Sequence, residues 1–326
     1  MPARKAVALA AAMMAAFACL SPGLASADDW PSRSVRMIVP YPPGGNADVV
    51  GRIVAHALQG ALGQPFVVEN KAGAGGILGA EAVANAPPDG YTLLLSANGP
   101  ILYAPELAPR KPYDWRKAFV PVGTVSLTSL ALVVHPSGPA ATLKEFIDLA
   151  RREGDKLVFA AGGMGTSNHL FSELIQSQLQ LKWTTAQYKG TAPAMNDLIG
   201  GHVQFSIDQI SASLPLIRDG RVRALAVSGA KRTPWLPDVP TFAEHGFPNL
   251  VGYTFVAVLA PAGTAGDVVG RIAAALKSLV ADPQVRKQIE TLGAEPEAML
   301  LGDFRAYLEK ESEVWLPVVR KASAPQ

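Results

Sequence analysis

Along this chain, short runs of β-branched and aromatic residues alternate with stretches in which apolar residues recur every three or four positions. The runs VRMIVPY, PFVVEN and YTLLLSA are separated by helical periodicity over about Asp48 to Leu62 and around Gly79 to Ala86. The alternation resumes with ALVVHP, KLVFAAG, WTTAQY, VQFSID and VRALAVSG, interleaved with helices over about Leu143 to Arg152, Asn168 to Leu179 and Pro193 to Ile199. Strands that alternate with helices predict a parallel sheet covered by helices, here in two successive α/β units of similar construction.

Two further apolar runs, VPVGTVSL at about 120–127 and YTFVAVLAP at about 253–261, flank the second unit and read as crossovers joining it to the first. Helical periodicity from Asp267 to Ala281, with Val268, Ile272, Leu276 and Leu279 on one side, and again from Phe304 to Trp315, predicts a tail that packs back on the first unit. The expected organisation is one domain over 28–125 plus 255–326 and a second over 126–254. Insertion of one α/β unit into another through two strands gives a hinged pair. Ligands of open α/β sheets bind beyond the carboxyl ends of the strands, which in this arrangement face the cleft.

Residues 1–27 read as a secretory leader. Arg4 and Lys5 make a basic start, Ala6 to Leu20 is an almost unbroken apolar run, and Ala25-Ser26-Ala27 offers the small residues a signal peptidase needs. The apolar run is shorter than the roughly 20 residues that span a bilayer, so a permanent anchor is not expected. Cys19 permits a lipoprotein reading, but Ala16-Phe17-Ala18 lacks the usual leucine-like position before it. Cleavage removes the one cysteine and takes the 29 Lys+Arg to 27, against 27 Asp+Glu. The mature chain is then neutral and free of thiols, which argues against nucleic acid as a partner and excludes disulfide and thiolate chemistry. About 300 residues bury a large core without staples.

The candidate chemistry lies where strands end. Tyr41-Pro-Pro-Gly-Gly-Asn-Ala-Asp48 closes the first strand and opens the first helix. Pro42 and Pro43 stop the strand, Gly44 and Gly45 bare the backbone, and the helix leaves its first N–H groups without partners, which makes a carboxylate or phosphate site. A plain βα turn with Asp48 as a cap is the competing reading. Ala161-Gly162-Gly163-Met164-Gly165-Thr166-Ser167-Asn168-His169 repeats the logic in the second unit. Tyr188-Lys189-Gly190-Thr191-Ala192 follows the next strand, and Asp208 ends VQFSI at what should be the same edge. Ser96 and Asn98, where YTLLLSAN ends, complete the candidate ligand-binding set together with Tyr41.

These residues carry a resemblance. YPPGGNADVVGRIVAHAL, GQPFVVENKAGAGGILGAEAVANAPPDGYTLL, NHLFSELI, YKGTAPAMNDLIGGHV, RALAVSGAKRTPWLPDVPTFAEHGFP and APAGT resemble the tripartite tricarboxylate transporter substrate-binding proteins, the Bug family, over essentially the whole mature chain. The resemblance implies a periplasmic solute-binding protein with a two-domain α/β periplasmic-binding-protein (Venus flytrap, type II-like) fold, closing its hinged cleft on a small carboxylate. It implies a carboxylate held at Pro43, Gly44, Gly45, Asn46, Ala47 and Asp48. It extends more loosely to Gly165, Thr166, Ser167 and His169, to Lys189, Gly190 and Thr191, and to Asp208. Two positions depart from the family pattern: Ala47 stands where a threonine is usual, and Tyr253-Thr254-Phe255 stands where a tryptophan is often found. Both bear on which acid is bound more than on how it is held.

The ligand implied is a di- or tricarboxylate, an aromatic acid or an amino acid, with a membrane permease or sensor as partner, no cofactor and a monomeric chain. Helix-start N–H groups solvate an anion without a full counter-charge, and Lys189 is the one cation expected near the cleft, a surface turn lysine being its other reading. Enzyme readings fit less well. Gly73-Ala-Gly75-Gly76-Ile-Leu-Gly79 suggests a dinucleotide fingerprint, but its third glycine falls one position late and a whole βα unit precedes it. Gly165-Thr-Ser167-Asn-His169 lacks the final glycine of a hydrolase elbow. Histidines 56, 135, 169, 202 and 245 have no metal-ligand spacing. A secreted hydrolase or lyase with Asp48 or Asp208 as base remains the alternative.

Overall fold

The computed structural model describes residues 30–322, so the expected leader over 1–27 lies outside the described residues. In chain order the strands are β1 (Val35–Val39), β2 (Phe66–Asn70), β3 (Thr92–Ser96), β4 (Phe119–Val134), β5 (Val158–Ala161), β6 (Thr184–Gln187), β7 (Phe205–Gln209), β8 (Arg223–Val227), β9 (Tyr253–Pro261) and β10 (Glu295–Pro296). The helices are α1 (Asn46–Leu62), α2 (Ile77–Ala84), α3 (Ala104–Leu107), α4 (Trp115–Ala118), α5 (Leu143–Glu153), α6 (Ser167–Leu179), α7 (Thr191–Ile199), α8 (Ile210–Arg218), α9 (Gly266–Ala281), α10 (Pro283–Thr291) and α11 (Leu301–Ala322). A π-helical turn at Gly99–Tyr103 runs directly into α3.

One strand joins everything. The runs expected as separate strands at about 120–127 and at ALVVHP are a single 16-residue β4, whose first part pairs with β9 and β10 and whose last five residues pair with β7 on one side and β8 on the other. Thr124, Ser126, Thr128 and Ser129 interrupt its hydrophobic run in the sequence yet are buried with the rest, because both faces of the strand are covered. The strand order is β2-β1-β3-β9-β4-β7-β5-β6, with β8 and β10 also on β4.

The sheet is mixed rather than parallel. The pairs β1–β2, β1–β3, β5–β6 and β5–β7 run parallel, as βα alternation demands, whereas β9 runs antiparallel to β3 and β4, and β4 antiparallel to β7 and β8. Chain direction in the two connecting strands is set by the return path between the halves, a property no local pattern encodes.

Helix α9 packs on α1 and β4, with Val268, Ile272, Leu276 and Leu279 buried against Val50, Val54, Leu58, Val122 and Val125. The last helix does more than pack back on the first half. Trp315 of α11 meets Tyr103 of the π turn (ring centroids 5.7 Å apart) and Phe171 of α6 (6.4 Å), and Lys321 Nζ donates to Ser177 Oγ at 3.2 Å. Helix α11 therefore bridges the sheet's two halves.

The bridge carries a half-buried acid. Glu311 accepts from Trp315 Nε1 at 3.0 Å, and burial pushes its carboxyl up to about 7 against that hydrogen bond and the Lys310 charge. A carboxyl whose folded pKa is raised lends stability that is fully present below its unfolded value and is lost as pH rises through about 7. Glu311→Gln is accordingly expected to leave thermal stability at pH 5 nearly unchanged and to raise it at pH 8 by about 1–2 kcal/mol. Equal effects at the two pH values would show that Glu311 is solvated.

Candidate functional site

Three helices begin at the edge where the parallel strands end, and all three starts face one cleft. The sequence forces the first. Gly44 takes a left-handed φ of +85°, which a side chain would strain, and Gly45 caps α1 in an extended conformation with no side-chain cap. The N–H groups of Asn46 and Ala47 are left without partners among the described residues. Helix α7 starts the same way at Gly190, again with no side-chain cap. At α6 the Thr166 hydroxyl caps His169 N–H at 3.3 Å, and the N–H groups of Ser167 and Asn168 stay open.

The cleft between them has a volume of about 770 Å³ and draws its walls from both halves of the sheet. The two halves touch at one side: a Cβ on Gly99 would lie 3.2 Å from Gly165 O, tight enough to press the two loops apart by a few tenths of an ångström. Of the expected residues, Tyr41, Pro43, Gly44, Gly45, Asn46, Ala47, Gly165, Thr166, Ser167, Lys189, Gly190, Thr191 and Asp208 line it. Gly75, from the glycine run after β2, lines it too.

Asp48, Ser96, Asn98 and His169 stand behind the lining. Asp48 is 3% exposed and accepts from Gly44 N–H (2.9 Å), from Arg52 Nε and Nη2 (3.2 and 2.9 Å) and from Asn70 Nδ2 (2.8 Å). Burial alone would raise its pKa, but these partners together hold it below the usual carboxylate value. It clamps the glycine turn from behind. Ser96 is buried beside the Tyr41 hydroxyl, and burial pushes that phenol far above its ordinary value. Asn98 ties β3 to β9, accepting from Phe255 N–H at 2.9 Å and donating to Tyr253 O at 3.1 Å. His169 Nδ1 accepts from Gly165 N–H at 3.4 Å, and burial lowers its pKa to about 4, so it props the second glycine loop as a neutral ring.

Several lining residues escape a reading of strand ends. Asn196, Met195 and Ile199 come from the face of α7. Gln209, Ser211, Pro215 and Leu216 come from β7 and α8, Thr254 from β9, and Leu292 follows α10. Arg221 also lines the cleft, so Lys189 is not its sole cation. The helix α8 behind VQFSID was the available signal, masked by Pro215 within it.

Unpaired polar atoms mark the same place. Among the described residues, the buried side-chain atoms without hydrogen-bond partners include Asn46 Oδ1, Asp208 Oδ2, Ser211 Oγ and Thr254 Oγ1, and all four residues line this cleft. Native interiors satisfy nearly all such atoms, and four of the nine found among the described residues lie on this one cleft, where a polar ligand would meet them. Asp208, next to last in β7, has no exposed surface. Its Oδ1 accepts from Asn168 Nδ2 at 3.0 Å, and burial raises its carboxyl to about 7 against the donors of Gln209, Asn168 and Thr191.

Comparison with known proteins agrees with this geometry. The family described as the tripartite tricarboxylate transporter family receptor matches residues 50–323. Protein BugT of Bordetella pertussis is 37% identical over 300 residues, 92% of each chain. An R. palustris protein solved with adipate superposes with a TM-score of 0.84 at 32% identity, covering 90% of this chain and 98% of the other. MatC from Rhodopseudomonas palustris, solved with bound malate, gives 0.79 at 32% identity, covering 89% of this chain and all of the other.

Proposed function

Because the chain belongs to the tripartite tricarboxylate transporter receptor family, we propose that it is a periplasmic solute-binding protein that captures one small organic carboxylate in the cleft and delivers it to a membrane permease or sensor. Its fold is the α/β periplasmic-binding-protein fold. The observation that carries the reading is the convergence of three open helix starts and four unpaired buried polar atoms on one cavity. Helix starts favour anions, and a small acid fits a cavity that also holds apolar surface from Met195, Ile199, Leu216 and Leu292. The adipate and malate held by its structural neighbours are acids of this class.

The two halves act as domains, 28–125 plus 255–326 and 126–254, closing about β4 and β9, and the leader over 1–27 directs the chain to the periplasm. No described helix is long and apolar enough to cross a membrane. One chain supplies the cleft's lining from both halves, which supports a monomeric binder. The hydrolase or lyase alternative falls with the family, whose members are solute-binding proteins rather than enzymes. Asp48, one of its two candidate bases, is also fully engaged with Arg52, Asn70 and Gly44.

A thermal-shift screen of residues 28–326 tests the proposal. At a hundredfold excess over its dissociation constant the cognate acid is expected to stabilise the fold by about 2.7 kcal/mol and to be recovered unchanged. A shift with sugars, metals or nucleotides and none with any acid would overturn it.

A further inference from the structure

The cleft that favours anions at three helix starts also contains a carboxylate, and Asp208 is the sole acidic residue among those lining it. Among the described residues no ion pair balances it. Asn168, which donates to Oδ1, is an uncharged amide, and Oδ2 has no hydrogen-bond partner, although Lys189 and Arg221 also line the cleft. The polar groups beside it, Asn168 Nδ2, the Thr191 hydroxyl and Gln209 N–H, are all donors, and each favours the accepting carboxylate against the burial that raises its carboxyl to about 7.

A second carboxylate brought against such a group is repelled in a low-dielectric cleft, and a plain aliphatic or aromatic acid has nothing to offer Oδ2. An ammonium or hydroxyl on the ligand does. It would complete the hydrogen bonding of a buried acceptor that is otherwise left unsatisfied, and an ammonium would also balance its charge. Ser211 Oγ and Thr254 Oγ1, also buried and unpartnered along this cleft, supply further small polar contacts for such a group.

We propose that Asp208 reads a hydrogen-bond donor on the ligand, so that the cleft takes an amino or hydroxy acid in preference to the plain acid of the same carbon skeleton. The inference rests on the carboxylate reading of the cleft and narrows it: the glycine turn holds the acid group that all candidates share, and Asp208 selects among them.

Matched series separate the two. Residues 28–326 are titrated calorimetrically with succinate, malate and aspartate, with glutarate, 2-hydroxyglutarate and glutamate, and with 3-phenylpropionate, phenyllactate and phenylalanine. Within the skeleton that binds, the donor-bearing acid is expected to bind at least about tenfold more tightly than the plain acid, since the plain acid leaves a buried acceptor unpaired. The order of ammonium and hydroxyl members tells whether charge or hydrogen bonding dominates. Asp208→Asn, checked for folding by circular dichroism, is expected to reduce the ratio of the two affinities at least about tenfold, and an unchanged ratio in the folded variant would overturn the role given to Asp208. If the plain acid binds wild type as tightly as its donor-bearing partner, the role given to Asp208 is wrong while the carboxylate reading stands. If no acid of any series binds, the carboxylate reading falls and takes this one with it.

Discussion

A chain carrying Gly45→Val is expected to fold as the wild type does and to lose ligand affinity by at least a hundredfold, about 2.7 kcal/mol. Gly45 sits at the N-cap of α1 with φ −77° and ψ 166°, a conformation any residue adopts. A Cβ built there meets nothing closer than Pro42 O at 3.8 Å. A valine is thus tolerated by the backbone but stands on the cleft wall beside the open N–H groups of Asn46 and Ala47, where a ligand oxygen must come within about 3 Å. Gly44 offers no such separation, because at φ +85° a side chain strains the turn itself. Calorimetric affinity and the melting temperature, measured together on Gly45→Val, check the prediction. Unchanged affinity in a folded variant would remove the glycine turn from the site.

The second large effect falls on stability. Asp48→Ala takes away the acceptor of Gly44 N–H, Arg52 and Asn70 at once, and Asn70 Nδ2 also holds Tyr41 O at 3.1 Å, so the turn loses its clamp. Arg52 and Gly44 are exposed and find water when their partner goes, whereas half-buried Asn70 loses an acceptor that orients it toward Tyr41 O. The expected cost is about 2–3 kcal/mol at pH 7, and Asp48→Asn, which keeps an acceptor without the charge, should cost about half as much. The pH dependence has a definite sign. The folded pKa of Asp48 is lowered, so its contribution is present above the unfolded value of 3.8 and is lost as pH falls through the folded one. Urea unfolding of wild type and variant should therefore converge toward pH 2–3. A gap as wide there as at pH 7 would mean the charge of Asp48 contributes little.

Much of the site was legible because it sits where punctuation is strongest. Pro42, Pro43, Gly44 and Gly45 end one strand and expose one helix start, and the turns at Gly162–Ser167 and Lys189–Thr191 repeat the signal, so thirteen of the expected residues line one cleft. What failed to show was whatever depends on partners distant in the chain. The role of Asp48 depends on Arg52 one helical turn on and on Asn70 across from it on β2. Arg52 was readable as an i, i+4 pair, but Asn70 was not. The far wall of Met195, Ile199, Leu216 and Leu292 comes from helix faces whose orientation only packing fixes.

The fold divides along the same line. Local periodicity marks the βα units, but α8 hides behind Pro215, and α10 is too polar to show an apolar stripe, with Ile289 its sole buried residue. The serine and threonine residues of β4 read as a break between strands because the sequence does not show that β9, α9 and α11 cover them. The bridging helix α11 is likewise readable as a helix, while its contact with both Tyr103 and Phe171 is not.

A crystal structure of residues 28–326 with the tightest-binding acid would show where the ligand is held. One molecule is expected in the cleft, with a carboxylate oxygen within about 3 Å of the Asn46 or Ala47 N–H and the rest of the ligand reaching toward Thr191 and Asp208. A ligand seated elsewhere, or one that turns a donor or an apolar face to the Gly44–Ala47 turn, would contradict it.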